Sequence, residues 1–396
     1  MKLSQELAWR GFTNQTTLKD ITVLDSEKIT FYWGVDPSSN SMTVGNLAIA
    51  MMVLHFISHG HKAVLLVGGA TGLIGDPDGK DEERDLKTVE EVAKNKAGIA
   101  LQYQQIFAGQ PFTIVDNYDW FKDFGYLQFL RDVGKHFSMT QLLQRDFIQS
   151  RIGQGGKGIS YAEFSYSLIQ GYDFLHLFRT KGVTLQVCGA DQWGNSISGV
   201  DLIRKVEGGE AHIWSAPLVV NKATGKKFGK TENGAIWLDS SKTSVFDFYQ
   251  FWLNADDQGV LDYLKIYTLL TKDQIDSLMG EFTQNPAGRA AQKALAYEVT
   301  KIVHGEAEAK KAKEATATLF SGEASDLTPI VQMPEGEHEV IEVLVKAGLA
   351  TSNSEARRLF DQGGVKLNQQ KVGSPRVTLK SGDLLQVGKR RFVKIS

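Results

Sequence analysis

Tyr166, Gln170 and Asp173 fall at positions i, i+4 and i+7 of a run that reads as a helix, SYSLIQGYDFLHLF. That spacing puts a phenol, an amide and a carboxylate on one face, a set able to hold the polar groups of a small ligand. Leu168, Ile169, Phe174, Leu175 and Leu177 lie on the other side and supply enough apolar surface to anchor the helix on a sheet. The bland alternative is a solvated outer face. Against it, no Lys, Arg or Glu lies between Ser165 and Leu177, where an exposed face would carry several. The strand expected next, over residues 183–187, runs into Gly189, Asp191 and Gln192. They stand at a C-terminal strand end, where open α/β sheets hold ligands.

A second group of chemistry-bearing residues is the loop NKATGKKFGKTENG, with four lysines, three glycines and two threonines. Read alone it is a solvated basic turn. Lys227, Lys230 and Thr231 nevertheless gather ammonium and hydroxyl donors on one segment, which suits a polyphosphate. A third stretch, GGATGLIGDPDGK, lets backbone amides approach a ligand closely. Gly69, Gly72 and Gly75 have the spacing of a dinucleotide fingerprint, but they run into Asp76-Pro77-Asp78-Gly79-Lys80 rather than directly into a long helix. The following forty residues read as helical and polar, where the fingerprint needs a strand ending in an acidic residue roughly 20 positions on, so the sequence argues against a dehydrogenase.

The elements that must position these residues alternate between strand and helix. Strands are expected over residues 29–35, 63–67, 111–115 and 213–220, and helices over 45–58, 126–133, 139–148 and 195–206, with a short helix and connector over 1–28. DPSSNS breaks the chain between the first strand and its helix. The alternation predicts an α/β fold, a Rossmann-type parallel sheet spanning 1–220, with the lysine loop and a connector at 221–243. Residues 244–321 read as wholly helical and 322–336 as a linker rich in Pro, Gly and acidic residues. Residues 337–396 read as a small α+β domain, two short helices followed by the strands VKLN, RVTL, LLQV and FVKI.

Composition sets limits. A chain of 396 residues can bury a large core in two or three domains. The formal net charge of -2 implies no whole-chain attraction to nucleic acid or membrane, so any nucleic-acid contact is local. Between Lys346 and Ser396 eleven Lys and Arg stand against three Asp and Glu, an electrostatic footprint for nucleic acid. No apolar run approaches the roughly 18 residues of a membrane span. The segment MKLSQELAWRGF lacks a signal-peptide pattern, and a cytoplasmic protein is expected. The single cysteine, Cys188, excludes an internal disulfide and a multi-cysteine zinc site, and it reads as a small core residue. The eight histidines show no ligand spacing, so no protein-held metal is expected.

Taken together, DPSSNSMTVGN, GGATGLIGDPDGK, the Tyr166/Gln170/Asp173 stripe, GADQWGN and KFGKT resemble the bacterial tyrosyl-tRNA synthetases, class I aminoacyl-tRNA synthetases. The five motifs stand in the family's order, and the resemblance covers nearly the whole chain. The resemblance implies a Rossmann-type catalytic domain, a helical anticodon-recognition domain and an S4-like RNA-binding domain, whose Arg357, Arg358 and Lys366 are candidate RNA contacts. It implies that Tyr32 and Asp173 bond the phenolic hydroxyl of tyrosine. Asp76, Tyr166 and Gln170 would take its ammonium group, and Gln192 would lie near its carboxylate. Gly34, Asp36, Gly45, Gly189 and Asp191 would line the ATP and ribose side.

In the same resemblance, Thr43, Asn46, Lys227, Lys230 and Thr231 would stabilise the phosphates, with Lys230 on the ATP. ATP would be a substrate carrying Mg2+, no cofactor would be permanently bound, and tyrosine and its tRNA would be the other partners. A homodimer formed through the helices between Tyr126 and Ile148 is also implied. Two departures stand out. The family's His-x-Gly-His becomes Thr43-Val44-Gly45-Asn46, and Trp33 stands where many relatives have a small residue near the ribose. The lost histidines motivate the alternative, a catalytically inactive paralogue that binds tyrosine or RNA.

Overall fold

The computed structural model describes residues 1–77, 85–153, 155–231, 234–321, 330–388 and 391–396. They form two compact units, one of residues 1–242 and 256–291, the other of 243–255 and 292–396.

The first unit is α/β. Its sheet contains β1 (Gln15–Thr16), β2 (Thr30–Val35), β3 (Lys62–Val67), β4 (Phe112–Asp116), β5 (Leu185–Gly189) and β6 (His212–Ala216), in the order β1-β6-β5-β2-β3-β4. All neighbours are parallel except β1 and β6. From β2 the chain steps outward through β3 to β4, then returns to place β5 on the other side of β2 and β6 beyond it. The crevice above the β2 and β5 ends is therefore the point where strand order reverses, the place where such sheets bind ligands. Strand β6 stops at Ala216, short of the expected residue 220, because Pro217 has no N–H to continue the ladder.

Helices α1 (Leu3–Arg10), α2 (Val44–Ser58), α3 (Val89–Ile106), α4 (Tyr161–Lys181), α5 (Trp193–Glu207) and α6 (Val260–Tyr267) matter most for the site. Helix α2 is apolar on nearly every side and is buried accordingly. Helix α4 is longer than its polar stripe. Ser160 Oγ accepts from the Glu163 N–H at its start, and Gly182, at φ +64°, ends it. Where α4 crosses α5, Gly199 admits Phe174: a β-carbon on Gly199 would lie 2.7 Å from the Phe174 Cβ. The helix expected over 139–148 is two, Met139–Leu143 and Asp146–Ile152. Arg145 leaves helical geometry between them, and its Nη2 donates to Ser198 Oγ at 2.7 Å.

The first 28 residues do more than connect. Arg10 is buried, and its guanidinium donates to the carbonyls of Lys265, Thr268 and Leu270 at 2.8–2.9 Å, satisfying the open C-terminal end of α6. This is one reason residues 256–291 belong to the first unit, so the helical stretch expected as one block over 244–321 is divided.

In the second unit, Val245–Leu253 packs with Glu306–Ser321, where Gln250 Nε2 donates to Thr316 Oγ1 at 2.8 Å. Two short helices, Val340–Lys346 and Asn353–Asp361, cover small antiparallel sheets around a core that includes Leu344, Ala356, Val365, Leu385 and Ile395. Ile330–Val331 pairs in parallel with Lys394 and Ile395, and Gly336–Glu339 pairs with Arg376–Leu379. The small sheets thus begin inside the expected linker, whose residues 322–329 lie outside the described ones. Among the described residues no helix is long and apolar enough to cross a membrane.

Candidate active site

A cavity of about 480 Å³ opens above the C-terminal ends of β2 and β5. All six residues expected to hold tyrosine line it, and so do Gly34, Asp36, Gly45, Gly189 and Asp191. Thr43, Asn46 and Lys227 line it as well. The Lys230 and Thr231 side chains lie outside what is described, as do residues 78–84 of the glycine-rich stretch. Arg357, Arg358 and Lys366 are in the second unit and exposed, the first two on Asn353–Asp361 and the third on Val365–Leu367.

The deep end is closed and polar. Asp173 is 2% exposed, and its two oxygens accept from Trp120 Nε1 at 2.9 Å and Asn117 Nδ2 at 3.0 Å. Burial pushes its pKa up to about 8 although both donors act the other way. Tyr32 Oη and Gln170 Oε1 are buried and have no hydrogen-bond partner in the protein. Burial, with the Asp173 charge adding to it, holds the Tyr32 phenol well above its ordinary pKa, so Tyr32 is a neutral donor and acceptor. An unpaired buried hydroxyl costs on the order of 1–3 kcal/mol, which a ligand hydroxyl would remove.

From Asp173 a hydrogen-bond chain runs along the cavity. Asn117 Nδ2 also donates to Thr71 Oγ1 at 3.1 Å, Thr71 Oγ1 donates to Asp36 Oδ1 at 2.6 Å, and Tyr166 Oη donates to Asp36 Oδ2 at 2.7 Å. Farther round, Gln192 Nε2 donates to Asp76 Oδ2 at 2.6 Å and Asn195 Nδ2 reaches Asp76 Oδ1 at 3.4 Å. The glycine-rich stretch is held by side chains beneath it: Gly69 N–H donates to Asp116 Oδ1 and Ala70 N–H to Asn117 Oδ1. Lys96 pairs with Asp116 in turn.

Sequence reasoning missed Asn117, Trp120 and Asn195. The first two stand in NYDW, directly after β4 and thus at a C-terminal strand end, which was the available signal. Trp33, the residue that departs from the family, has its ring on the opposite face of β2 from Tyr32. It packs against Tyr103 and Phe107 at centroid distances of 5.4 and 6.4 Å, while Tyr32 packs against Phe174 at 5.1 Å. Cys188 is buried, and burial raises its thiol to about 12.

The shallow end gathers the features suited to phosphate. Thr43 caps α2, and Asn46 Oδ1 accepts from both Thr43 N–H (3.0 Å) and Thr43 Oγ1 (3.1 Å). That commits the carbonyl of Asn46 to the cap and leaves its Nδ2 hydrogens as its donors. A 15-residue helix also directs its positive end here. The lysine loop folds over it: Phe228 N–H donates to Val219 O, and Lys230–Thr231 (β7) pairs with Gly234–Ala235 (β8). Lys227 Nζ lies 3.6 Å from Asp191 Oδ2.

A reversing parallel sheet, a closed polar pocket at its switch point and a helix N-terminus under a lysine loop define a class I synthetase fold. Residues 24–321 match the family described as tRNA synthetases class I (W and Y), and residues 322–393 match the Tyrosine--tRNA ligase SYY-like C-terminal domain. The chain belongs to the tyrosyl-tRNA synthetase family of class I tRNA synthetases. It is 45% identical over 390 residues to Tyrosine--tRNA ligase of Bacillus caldotenax, covering 94% of this chain and 92% of that one. It is 42% identical over 396 residues to the Tyrosine--tRNA ligase of Limosilactobacillus fermentum, covering 96% and 94%. Among solved structures, a C-terminally truncated Aspergillus nidulans mitochondrial tyrosyl-tRNA synthetase superposes with a TM-score of 0.73 at 30% identity, over 80% of this chain and 94% of that one.

Proposed function

We propose that this chain is a tyrosine–tRNA ligase. The observation that carries the reading is the buried Tyr32 hydroxyl, unpartnered in the protein and lining the same pocket as Asp173, because such a pocket favours a ligand with a hydroxyl at its far end. In the first step the carboxylate of tyrosine attacks the α-phosphorus of ATP, the bond to the bridging oxygen breaks, and pyrophosphate leaves. In the second a ribose hydroxyl of the terminal adenosine of the tRNA attacks the tyrosyl carbonyl and AMP leaves.

Neither step needs a protein nucleophile, and positioning and charge stabilisation account for most of the catalysis. Tyr32 and Asp173 take the phenol, Asp76, Tyr166 and Gln170 the ammonium, and Gln192 lies beside the carboxylate. Gly34, Asp36, Gly45, Gly189 and Asp191 border the nucleotide. Asn46, the α2 terminus and Lys227, Lys230 and Thr231 oppose charge on the phosphates, with Thr43 holding Asn46. Mg2+ enters as part of the ATP complex. The basic C-terminal domain, through Arg357, Arg358 and Lys366, contacts tRNA phosphates, the residues before it recognise the anticodon, and the enzyme works in the cytoplasm.

A homodimer follows from the same reading. Support comes from Tyr126, Leu127 and Met139, large apolar side chains each more than half exposed along the implied face. The deciding experiment is tyrosine-dependent exchange of pyrophosphate into ATP, followed by charging of tyrosine tRNA. Exchange with tyrosine and its absence with phenylalanine are expected. No exchange at all would replace the reading with the inactive-paralogue alternative.

A further inference from the structure

The lysine loop is exposed at Lys226 and Lys227, yet the residue between Lys227 and Gly229 is buried. Phe228 is 7% exposed, its ring centroid 4.3 Å from that of Tyr263 and 5.7 Å from that of Tyr267, both fully buried residues of α6. The stack is closer than most aromatic pairs in folded proteins, whose centroids lie about 4.5–7 Å apart. By contrast the Lys227–Asp191 pair is 3.6 Å long with both side chains nearly half exposed, a geometry that holds little in water.

Tyr263 is itself fixed. Its Oη donates to Asp256 Oδ2 at 2.8 Å, and Asp256 Oδ1 accepts from Gly259 N–H at 2.7 Å, closing a turn over the ring. Gly259 has no room for a side chain, since a β-carbon there would lie 2.4 Å from Tyr263 Cζ. The Tyr263 hydroxyl also receives the Lys222 N–H at 3.4 Å, and Lys222 Nζ pairs with Asp262 at 3.1 Å, so α6 touches the loop at both its start and its middle.

We propose that Tyr263, held by Asp256, is a positioning residue for the phosphate-binding loop, its ring being the seat on which Phe228 sets the loop over the ATP phosphates. The inference rests on the ligase reading for its catalytic consequence, but not for the seat itself. Tyr263 touches no substrate. It acts through Phe228, whose neighbours on either side, Lys227 and the Gly229-Lys230 pair, carry the charge to the phosphates.

The test compares Tyr263→Ala, Phe228→Ala, Tyr263→Phe and Asp256→Asn with the unmutated chain in three measurements. These are the ATP and tyrosine dependence of pyrophosphate exchange, tyrosine binding by intrinsic fluorescence, and the rate of tryptic cleavage after Lys226 and Lys227. Tyr263→Ala and Phe228→Ala are expected to lower kcat/KM for ATP roughly tenfold each, the double variant no further, with tyrosine affinity unchanged and cleavage faster by a similar factor. Tyr263→Phe keeps the ring and should recover most of the protection, and Asp256→Asn should fall between. Unchanged ATP dependence together with unchanged cleavage would overturn the proposal. So would an equal loss of tyrosine binding, which marks a general packing defect. If the unmutated chain shows no exchange, the ligase reading fails, and the cleavage rates alone decide the seat.

Discussion

Gly229 lies against Val44 with no space for a side chain between them: a β-carbon on Gly229 would come 2.1 Å from Val44 Cγ2. Gly229 also has φ +82°, a conformation that L side chains resist. Val44 is the first residue of α2, so this contact joins the helix terminus at the shallow end of the cavity to the loop carrying the lysines. Backbone hydrogen bonds fix the same join, with Ile236 N–H donating to Gly229 O at 3.0 Å and Val44 N–H to Ile236 O at 3.1 Å. The start of α2 and the lysine loop are thus one assembly, in which the loop is referenced to the helix.

Gly229→Ala is therefore expected to lift the loop from α2 while leaving the tyrosine pocket intact. Strained backbone of this kind costs on the order of 1–3 kcal/mol, which corresponds to roughly ten- to a hundredfold in loop occupancy. The ATP term of tyrosine activation should fall by about that factor, and tyrosine titration by fluorescence should stay unchanged. A variant with full exchange activity would show that the loop works without its contact to Val44.

Asp173 gives a pH prediction whose sign can be worked out. Its folded pKa, about 8, lies above the ordinary carboxylate value, so its contribution to stability is fully present below about pH 4 and is lost as pH rises through 8. Asp173→Asn, which cannot ionise, should become more stable relative to the parent as pH is raised across that window, measured by denaturant midpoints. On the ligase reading proposed above, tyrosine donates its phenol to this carboxylate, so binding would favour the ionised form and release a proton near neutral pH. Tyrosine affinity should then rise from pH 6 to 8, with proton release seen by calorimetry in buffers of different ionisation heat. Trp120→Phe removes one donor to Asp173, and at pH 7 tyrosine binding should weaken about tenfold, the loss of one charge-assisted hydrogen bond. Release that persists in Asp173→Asn would assign the proton to another group.

The sequence carried the parts of the site that depend on local spacing. The Tyr166/Gln170/Asp173 stripe shows because helical periodicity is local, and β2, β3 and β5 show because buried parallel strands are continuous apolar runs. What stayed hidden depends on contacts between distant segments. Asn117 joins Asp173 to Thr71 across 56 and 46 residues of chain, and nothing in NYDW itself indicates that partner. Arg10 reaches across 255 or more residues to the end of α6, so a segment with no visible chemistry helps tie residues 256–291 to the first unit. Tyr263 reads only as an aromatic on an apolar helix face. The last residues of the expected linker form strands for a different reason: proline and glycine mark turns between short strands as readily as they mark connections between domains.

The basic tail should act on tRNA and not on activation. Arg357, Arg358 and Lys366 are exposed, and replacing all three with glutamine removes cations without disturbing the core. If each contacts one phosphate, the salt dependence of tRNA binding should lose about 0.7–0.9 of a log unit per contact, two or more in total. Filter binding across a salt series reads this directly. Pyrophosphate exchange should remain within twofold. An unchanged salt slope would place the tRNA contacts elsewhere on the domain.

Asn46 carries two roles that can be separated. Its carbonyl completes the cap of α2 by accepting from Thr43 N–H and Oγ1, and on the ligase reading its amide hydrogens remain to meet the phosphates. The Thr43 hydroxyl is engaged with Asn46, so on the ligase reading Thr43 works by holding Asn46 rather than by donating to ATP. Thr43→Ala should cost about 1 kcal/mol of helix capping and slow activation only several-fold. Asn46→Ala removes cap and donor together and should slow activation at least tenfold, toward the roughly hundredfold typical of losing one transition-state donor. Asn46→Asp separates the roles. A carboxylate still accepts from Thr43 and suits a helix N-terminus, so thermal stability should hold or rise, yet it donates nothing and sets negative charge beside the phosphates. Its activation rate should fall below that of Asn46→Ala, with tyrosine affinity unchanged in all three. If Asn46→Asp activates tyrosine as fast as the parent chain, the amide serves the cap alone, and the phosphate charge is met by the lysine loop and the α2 terminus without it.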